Sequence, residues 1–362
     1  MPIRIEPRRE VPAALRWATP LVAVLLTVAA SFALFAAMGF EPWGALYQFF
    51  AAPVLSVQGL TELALKASPL ILIATGLAAG FRANVWNIGA EGQLVMGAVA
   101  GGGVALAVWG DEGAWILPLM CLAGVAGGMA WAAVPAFLRT RLGVSEILTS
   151  LMLTYVAGLF LSLLVLGPWK DPDGYNFPQS RMFSDSALLP DLIEGTRLHA
   201  GVPVSLAVAL LAWFVLARTL PGFAVRTLGA APAAARYAGF SEARIVWTTM
   251  LVGGGLAGLA GVFEIAGPIG QIIPRITPGY GFTAIIVAFL GRLHPLGIVA
   301  AGLVMALSYL GGESAQVAMG LPSAVTGLVQ GMLLFILLAA DALARYRVRI
   351  VPAPAPAVKA PA

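Results

Sequence analysis

The apolar run Leu60–Phe81, the polar stretch Arg82-Ala83-Asn84-Val85-Trp86-Asn87-Ile88-Gly89-Ala90-Glu91-Gly92-Gln93 and the second apolar run Gly89–Trp109 decide the fold. Both runs reach the roughly 20 residues that cross a bilayer core, so the polar stretch is a Gly-bearing hinge between two membrane spans. Asn84 and Asn87 are turn formers and helix caps. Glu91 falls near a helix start, where the dipole favours an anion. A carboxylate entering a membrane helix costs several kcal/mol unless it is paired or wet. Arg82 is its local partner by sequence, which makes Glu91 either an ion-pair element of the hinge or a contact with substrate or gate.

The rest of the chain has the same character. Of 362 residues, 60% are hydrophobic and 10% charged, against about a quarter charged in soluble domains. The expected fold is an all-α polytopic membrane protein of about ten transmembrane helices. They run approximately Trp17–Met38, Leu60–Phe81, Gly89–Trp109, Ala114–Leu138, Glu146–Gly167, Val202–Thr219, Ile245–Ala266, Tyr280–Gly291, Pro295–Leu310 and Pro322–Asp341. With a cytoplasmic N-terminus, the inner segments collect Arg82, Arg139, Arg141, the arginines of 218–244, Arg292, and Arg345, Arg347 and Arg349. The outer ones hold Glu41, Asp111, Glu112, a net-negative loop and Glu313. That sorting places both termini inside. The domain reading is a cytoplasmic tail 1–16, a transmembrane domain 17–341 with a periplasmic loop 168–200 and a cytoplasmic loop 220–244, and a cytoplasmic Pro/Ala tail 342–362. The net charge of +4 belongs to these segments and faces lipid headgroups. No basic stripe is interleaved with aromatics, so nucleic acid is not an expected partner. The lone Cys121 lies in an apolar run and reads as a small hydrophobe.

Three segments resist simple spanning. Phe50–Val57 is apolar but short and reads as interfacial. Gly267–Tyr280 is rich in Gly and Pro, and broken backbone at membrane depth is tolerated only when buried in protein or lining a wet cavity. It is either a pathway element or an outer loop. Tyr280–Gly291 is short for a span. Spans after Leu60 and after Ile245 have similar spacing, with Gly92-Gln93 and Gly270-Gln271 in corresponding places, a possible internal repeat. The triplets at 101–103 and 253–255 suit close helix packing.

The hinge Asn87-Ile88-Gly89-Ala90-Glu91-Gly92-Gln93 resembles the signature Asn-Ile-Gly-x-Glu-Gly-Gln of permease subunits of nucleoside and simple-sugar ABC importers. These belong to the broad group that also serves ribose and branched-chain amino acids. The resemblance continues at Val144-Ser145-Glu146-Ile147, Pro278-Gly279-Tyr280-Gly281-Phe282-Thr283-Ala284-Ile285 and Val287-Ala288-Phe289-Leu290-Gly291, and covers the chain from about Leu60 to Asp341. It implies an ABC ATPase subunit, a second similar permease subunit (a copy or a homologue), an extracytoplasmic solute-binding protein and a bacterial cytoplasmic membrane.

The loop 220–244 holds Arg226, Arg236 and Arg244, and an Ala-rich stretch, Ala230–Ala238, that favours helix despite Pro232 and stops at Gly239. By itself it reads as a short amphipathic helix at the inner interface. The resemblance implies a coupling helix that docks in the ATPase. Ala233-Ala234-Ala235, three residues, then Gly239 is similar to the importer pattern Glu-Ala-Ala, three residues, Gly, with Ala233 where that pattern has Glu. Arg226, Ala233, Ala234, Ala235, Arg236 and Gly239 are the coupling candidates.

The substrate-path candidates are Asn87, Glu91, Gln93, Glu264 and Gln271, with Glu264, in an apolar span, foremost. Thr154, Tyr155 and Ser308 read as polar helix contacts, Glu146 and Asp341 as anchors or caps. Catalysis lacks its parts. The histidines, His199 and His294, fall in an outer loop and an inner turn, no paired-histidine metal motif occurs, and no Gly-x-x-x-x-Gly-Lys-Ser/Thr cradle for ATP is present. No cofactor or metal is expected. The expected function is translocation of nucleosides or simple sugars driven by a separate ATPase. The alternative is secondary transport on an ion gradient.

Overall fold

The computed structural model describes residues 3–7, 13–344 and 346–350. The Pro/Ala run after Val351, and Arg345, lie outside them. Two compact units divide the chain, Gln48–Leu321 and the flanking segments Met1–Tyr47 with Pro322–Ala362.

In the flanking unit, β1 (Ile3–Pro7) is followed by α1 (Ala13–Ala37) and α2 (Pro42–Leu46). Glu41 caps α2 by accepting from the Trp43 and Gly44 amides. Trp43 packs edge-on against Phe32. Within the stretches read as tails, β1 pairs antiparallel, Ile3 opposite Ile350, with β2. Helix α1 also starts four residues before Trp17.

The larger unit carries α3 (Val57–Arg82), α4 (Ala90–Ala107), α5 (Ile116–Leu142), α6 (Glu146–Leu166), α7 (Gly201–Arg218), α8 (Leu220–Ala230), α9 (Pro232–Tyr237), α10 (Glu242–Glu264), α11 (Tyr280–Leu290) and α12 (Pro295–Met319). Helix α13 (Ala324–Ala344) and β2 (Tyr346–Ile350) complete the flanking unit. Among the described residues, nine helices are long and apolar enough to cross a membrane.

The tenth expected span is shorter. Helix α11 has 11 residues, about 16 Å at 1.5 Å per residue, half of a ~30 Å hydrocarbon core. Helix α12 runs on to Met319, nine residues past Leu310, so Glu313 sits in a helix rather than in a turn. Lys66 of α3 neutralises Glu313 at 2.8 Å. Gly311 beside it gives the room for the Phe49 backbone to lie against α12.

Helices α3 and α10 form the buried centre, while α6 and α7 leave most of their apolar side chains exposed, as lipid-facing helices do. Glycines set the central spacing. A Cβ on Gly76 would fall 2.9 Å from the Gly253 Cα, one on Gly128 would fall 2.9 Å from the Gly258 Cα, and Gly97 meets the Gly258 backbone. Helices α3, α4 and α5 therefore pack backbone to backbone on α10, where dispersion rather than water exclusion supplies the attraction. The triplet at 253–255 has the packing use that its composition suggests.

Candidate functional site

The hinge does not lie at the end of the spans. A Cβ on Gly253, halfway along α10, would stand 3.6 Å from the Asn87 side-chain nitrogen, so the hinge is sunk beside the middle of that spanning helix. Buried backbone needs partners, and neighbouring elements supply them. Asn84 takes a left-handed conformation (φ 59°) and accepts from the Trp86 indole at 2.9 Å. The Trp86 amide donates to Glu146 at 3.1 Å, and the Ile88 amide to the Ser150 hydroxyl at 3.2 Å. Glu146 in turn pairs with Arg139, which makes it the anchor its position suggests.

Asn87 and Gln93, two path candidates, consume each other. Asn87 Nδ2 donates to Gln93 Oε1 at 2.8 Å, Gln93 Nε2 donates to Asn87 Oδ1 at 3.0 Å, and the Gly89 amide adds a third bond at 3.1 Å. Both side chains are buried. This reciprocal amide pair closes the turn into α4.

Glu91 corrects the pairing expected from sequence. Its partners are the Thr277 hydroxyl and the Gly281 amide, the latter at 2.6 Å, and Arg82 is not among them. Arg82 ends α3 and lies within electrostatic range of Arg226 and His294 instead. Gly281 belongs to the first turn of α11, and a Cβ there would stand 2.5 Å from the Glu91 Cα. Two helix N-termini, those of α4 and α11, thus converge on one carboxylate, which suits both dipoles and an otherwise orphan N–H. Two of the stretches that carry the family resemblance, 87–93 and 278–285, meet at this point.

Glu264 closes α10. The helix then widens into a π-turn over Ile265–Ile269 and continues without regular structure to Gly279. Loop 168–200 covers this break. The Ser180 amide donates to the Ile272 carbonyl at 2.9 Å, Phe183 to Gly270 at 2.9 Å and Leu189 to Ala266 at 2.7 Å. Gln271 reaches only Gln179, at 3.5 Å, and its carbonyl oxygen has no partner. Glu264 is buried and makes no hydrogen bond or ion pair among the described residues. Lys66, Arg197 and Glu91 lie within its electrostatic range. The two cations are held elsewhere, Lys66 by Glu313 and Arg197 by Glu62 through bonds of 2.9 and 2.7 Å. The arrangement leaves one buried carboxylate without a donor.

Several members of this surrounding were not singled out from sequence. Glu62 and Lys66 lie four residues apart, one turn of α3, and two opposite charges at that spacing inside a span were the available signal. Tyr280 packs edge-on against Tyr309 at 5.3 Å, and Thr283 shares a 2.7 Å hydrogen bond with the Tyr309 hydroxyl. Nothing in the sequence brings those three together. His199, beside the break, accepts from the Gly201 amide at 3.1 Å, and its ring crowds Gly267 and Phe263. Burial pushes its pKa down to about 4, and Asp191 opposes the shift.

At the other end of α10, the helix expected over Ala230–Ala238 is broken. Ala231 leaves the helical region (φ −150°, ψ 81°) and α9 begins at Pro232, because the proline disfavours helical backbone in the residue before it. Ala235 is buried in the apolar cluster with Val225, Leu228, Val246 and Met250. Ala233, Ala234, Arg236 and Tyr237 face outward, Tyr237 with 97% exposure. Gly239 stops the turn in a left-handed conformation (φ 82°), and Arg226 is exposed on α8.

Residues 59–338 match the family described as branched-chain amino acid transport system / permease component. Among characterised proteins, the chain is 40% identical to the glucose ABC transporter permease protein TsgB13 of Haloferax volcanii over 96% of its own length and 94% of that protein. It is 30% identical to the guanosine ABC transporter permease protein NupP of Bacillus subtilis, over 86% and 89% of the two chains. Against the nucleoside ABC transporter permease protein NupB of Lactococcus lactis subsp. cremoris the values are 25%, 87% and 89%. The match takes in the sunken hinge, the interrupted α10–α11 segment and the spans around them, and this multi-pass membrane chain belongs to that permease-component family.

Proposed function

We propose that this chain is one membrane-spanning subunit of an ATP-binding-cassette importer for nucleosides or simple sugars. The observation that carries the proposal is the near full-length similarity to permeases named for glucose and guanosine. In this reading the membrane is a bacterial cytoplasmic membrane. Both termini and α8–α9 lie on the cytoplasmic side, and loop 168–200 lies outside. A separate ATPase docks on α9, a second permease completes the pathway, and a binding protein delivers the solute to the outer face. The chain's own sequence contains no phosphate-cradling Gly-Lys-Ser/Thr loop, which supports assigning ATP hydrolysis to another subunit.

The site residues are assigned on chemistry. A buried carboxylate without an internal donor is costly unless a ligand supplies one, and hydroxyl-rich solutes carry donors. Glu264 is therefore the solute contact, with Gln271 and its unpartnered carbonyl oxygen beside the covered break. Broken helices whose N-termini meet at membrane depth are a recurrent way to build such a site. Glu91 and the Asn87–Gln93 pair hold this break in place.

The test is uptake of labelled guanosine and glucose into vesicles that hold the chain with its permease partner, with and without the ATPase. The expected result is uptake that requires the ATPase and survives collapse of proton and sodium gradients. Uptake that needs no ATPase and stops when gradients collapse would overturn the proposal in favour of secondary transport.

A further inference from the structure

Beside the end of α4 is a cavity of about 350 Å³ lined by Trp109, Pro168, Trp169, Lys170 and Arg181, with Gly103 and Leu106. The Arg181 guanidinium stands 4.7 Å above the Trp109 ring. That indole is fixed by donating to the Met182 carbonyl at 3.0 Å. Trp169 lies against Gly103, where a Cβ would come within 3.3 Å of it. No carboxylate lines the cavity. Lys170 bonds the neutral Asn176 amide, and neither cation has an ion-pair partner among the described residues.

Two cations without a counter-ion, one bonded to Asn176 and the other stacked over the Trp109 ring, form a receptor for an anion. Its depth says which. The cavity opens where α4 and α6 end, at Ala107 and Leu166, the level at which Trp residues and lipid headgroups meet. Below it, α6 presents Leu159, Leu163 and Leu166, all more than 60% exposed, an apolar track for acyl chains leading up to Pro168. A soluble anion would have no use for that track.

We propose that this cavity is a phospholipid headgroup site, in which Lys170 and Arg181 hold the phosphate and Trp109 and Trp169 flank the glycerol. The ligand adds charge-assisted hydrogen bonds that the empty cations lack. It also ties loop 168–200 to the membrane surface through Pro168–Lys170, the residues that connect α6 to the loop.

The test uses the full chain, purified and relipidated with phosphatidylglycerol, with retained lipid counted by native mass spectrometry. Lys170→Ala/Arg181→Ala is expected to keep its monodisperse elution and to lose one phosphatidylglycerol per chain at a lipid concentration that saturates the wild type. Arg275→Ala, which removes an exposed cation on the α10–α11 break, should retain the wild-type count. Equal retention in the double variant would overturn the proposal. So would displacement of the lipid by millimolar inorganic phosphate, which would make this a site for free anions. A double variant that keeps its lipid but no longer responds to the binding protein would assign the two cations to an acidic partner surface instead. If the double variant does not fold, Lys170→Gln alone, which keeps the stem and removes the charge, is expected to weaken retention several-fold, and unchanged retention would be decisive against the site.

Discussion

At the residue scale, the two acidic candidates have opposite surroundings. Glu91 accepts on both of its oxygens, from Thr277 and from Gly281, whereas Glu264 has no hydrogen-bond donor. Substitutions should separate them. Glu264→Gln keeps shape and burial, so assembly should be unchanged, while uptake falls roughly ten- to a hundredfold, the range for losing a hydrogen bond to a charged group. Wild-type uptake by that variant in an otherwise active complex would remove Glu264 from the pathway. Gly281→Ala should behave the other way. Its Cβ would meet the Glu91 Cα at 2.5 Å and drive α4 and α11 apart, at a cost of about 1–3 kcal/mol. Lower thermal stability in detergent, before any effect on solute selectivity, is the expected readout.

His199 gives a pH prediction. Its pKa in the folded chain, about 4, lies below the value near 6.5 of an unfolded histidine, so the unfolded state binds more protons between these values. The stabilisation is full above about pH 6.5 and declines as pH falls through the folded value. Wild-type melting temperature should therefore drop between roughly pH 6.5 and 4 more steeply than that of His199→Asn, whose side chain does not titrate. Parallel pH profiles would show that the ring titrates alike in the folded and the unfolded chain.

At the element scale, α9 is a six-residue helix that could not persist alone in water. It is held by Pro232 at its start, Ala235 in the apolar cluster and the left-handed Gly239 at its end. Its outward face ends in Tyr237, an almost fully exposed aromatic of the kind that dominates interfaces. Tyr237→Ala should weaken ATPase binding by about 2 kcal/mol, measured as co-purification and as loss of solute-stimulated ATP hydrolysis, with the permease itself stable. Undiminished ATPase binding would move the docking surface away from α9. The proline's effect on Ala231 is legible in the sequence, where alanine propensity over nine residues argues the other way.

At the scale of the whole molecule, the class of fold was legible because lipid imposes it: long apolar runs with few charges have one stable solution. The nine long helices follow from that constraint. What escaped were features decided by contacts between distant segments. Glu313 reads as a residue of an outer segment until Lys66, 247 positions away, is placed beside it. The depth of the hinge depends on Gly253 accepting Asn87 against it. Arg82 was the nearest cation to Glu91 in sequence, yet the spatial partners lie 186 and 190 positions on, in α11 and the break before it. Of the site, the hinge and Glu264 stood out as polar groups in apolar surroundings, whereas Tyr280, Tyr309 and Thr283 are ordinary membrane-helix residues until folding stacks them.

Helix α10 starts beside α9 and ends at the break, and at Gly253, Gly254, Gly258 and Gly261 it meets α3, α4 and α5 with backbone against backbone. Side chains can change rotamer and absorb a displacement, but glycine backbones in contact have no such slack. Over 23 residues the helix is about 34 Å long, a rod clamped along its sides and free to travel only as a unit. A thrust delivered at Ser241 would therefore reach Glu264 at nearly full amplitude, as in a piston, and the compliance of the machine would reside in the π-turn and the unstructured link beyond it.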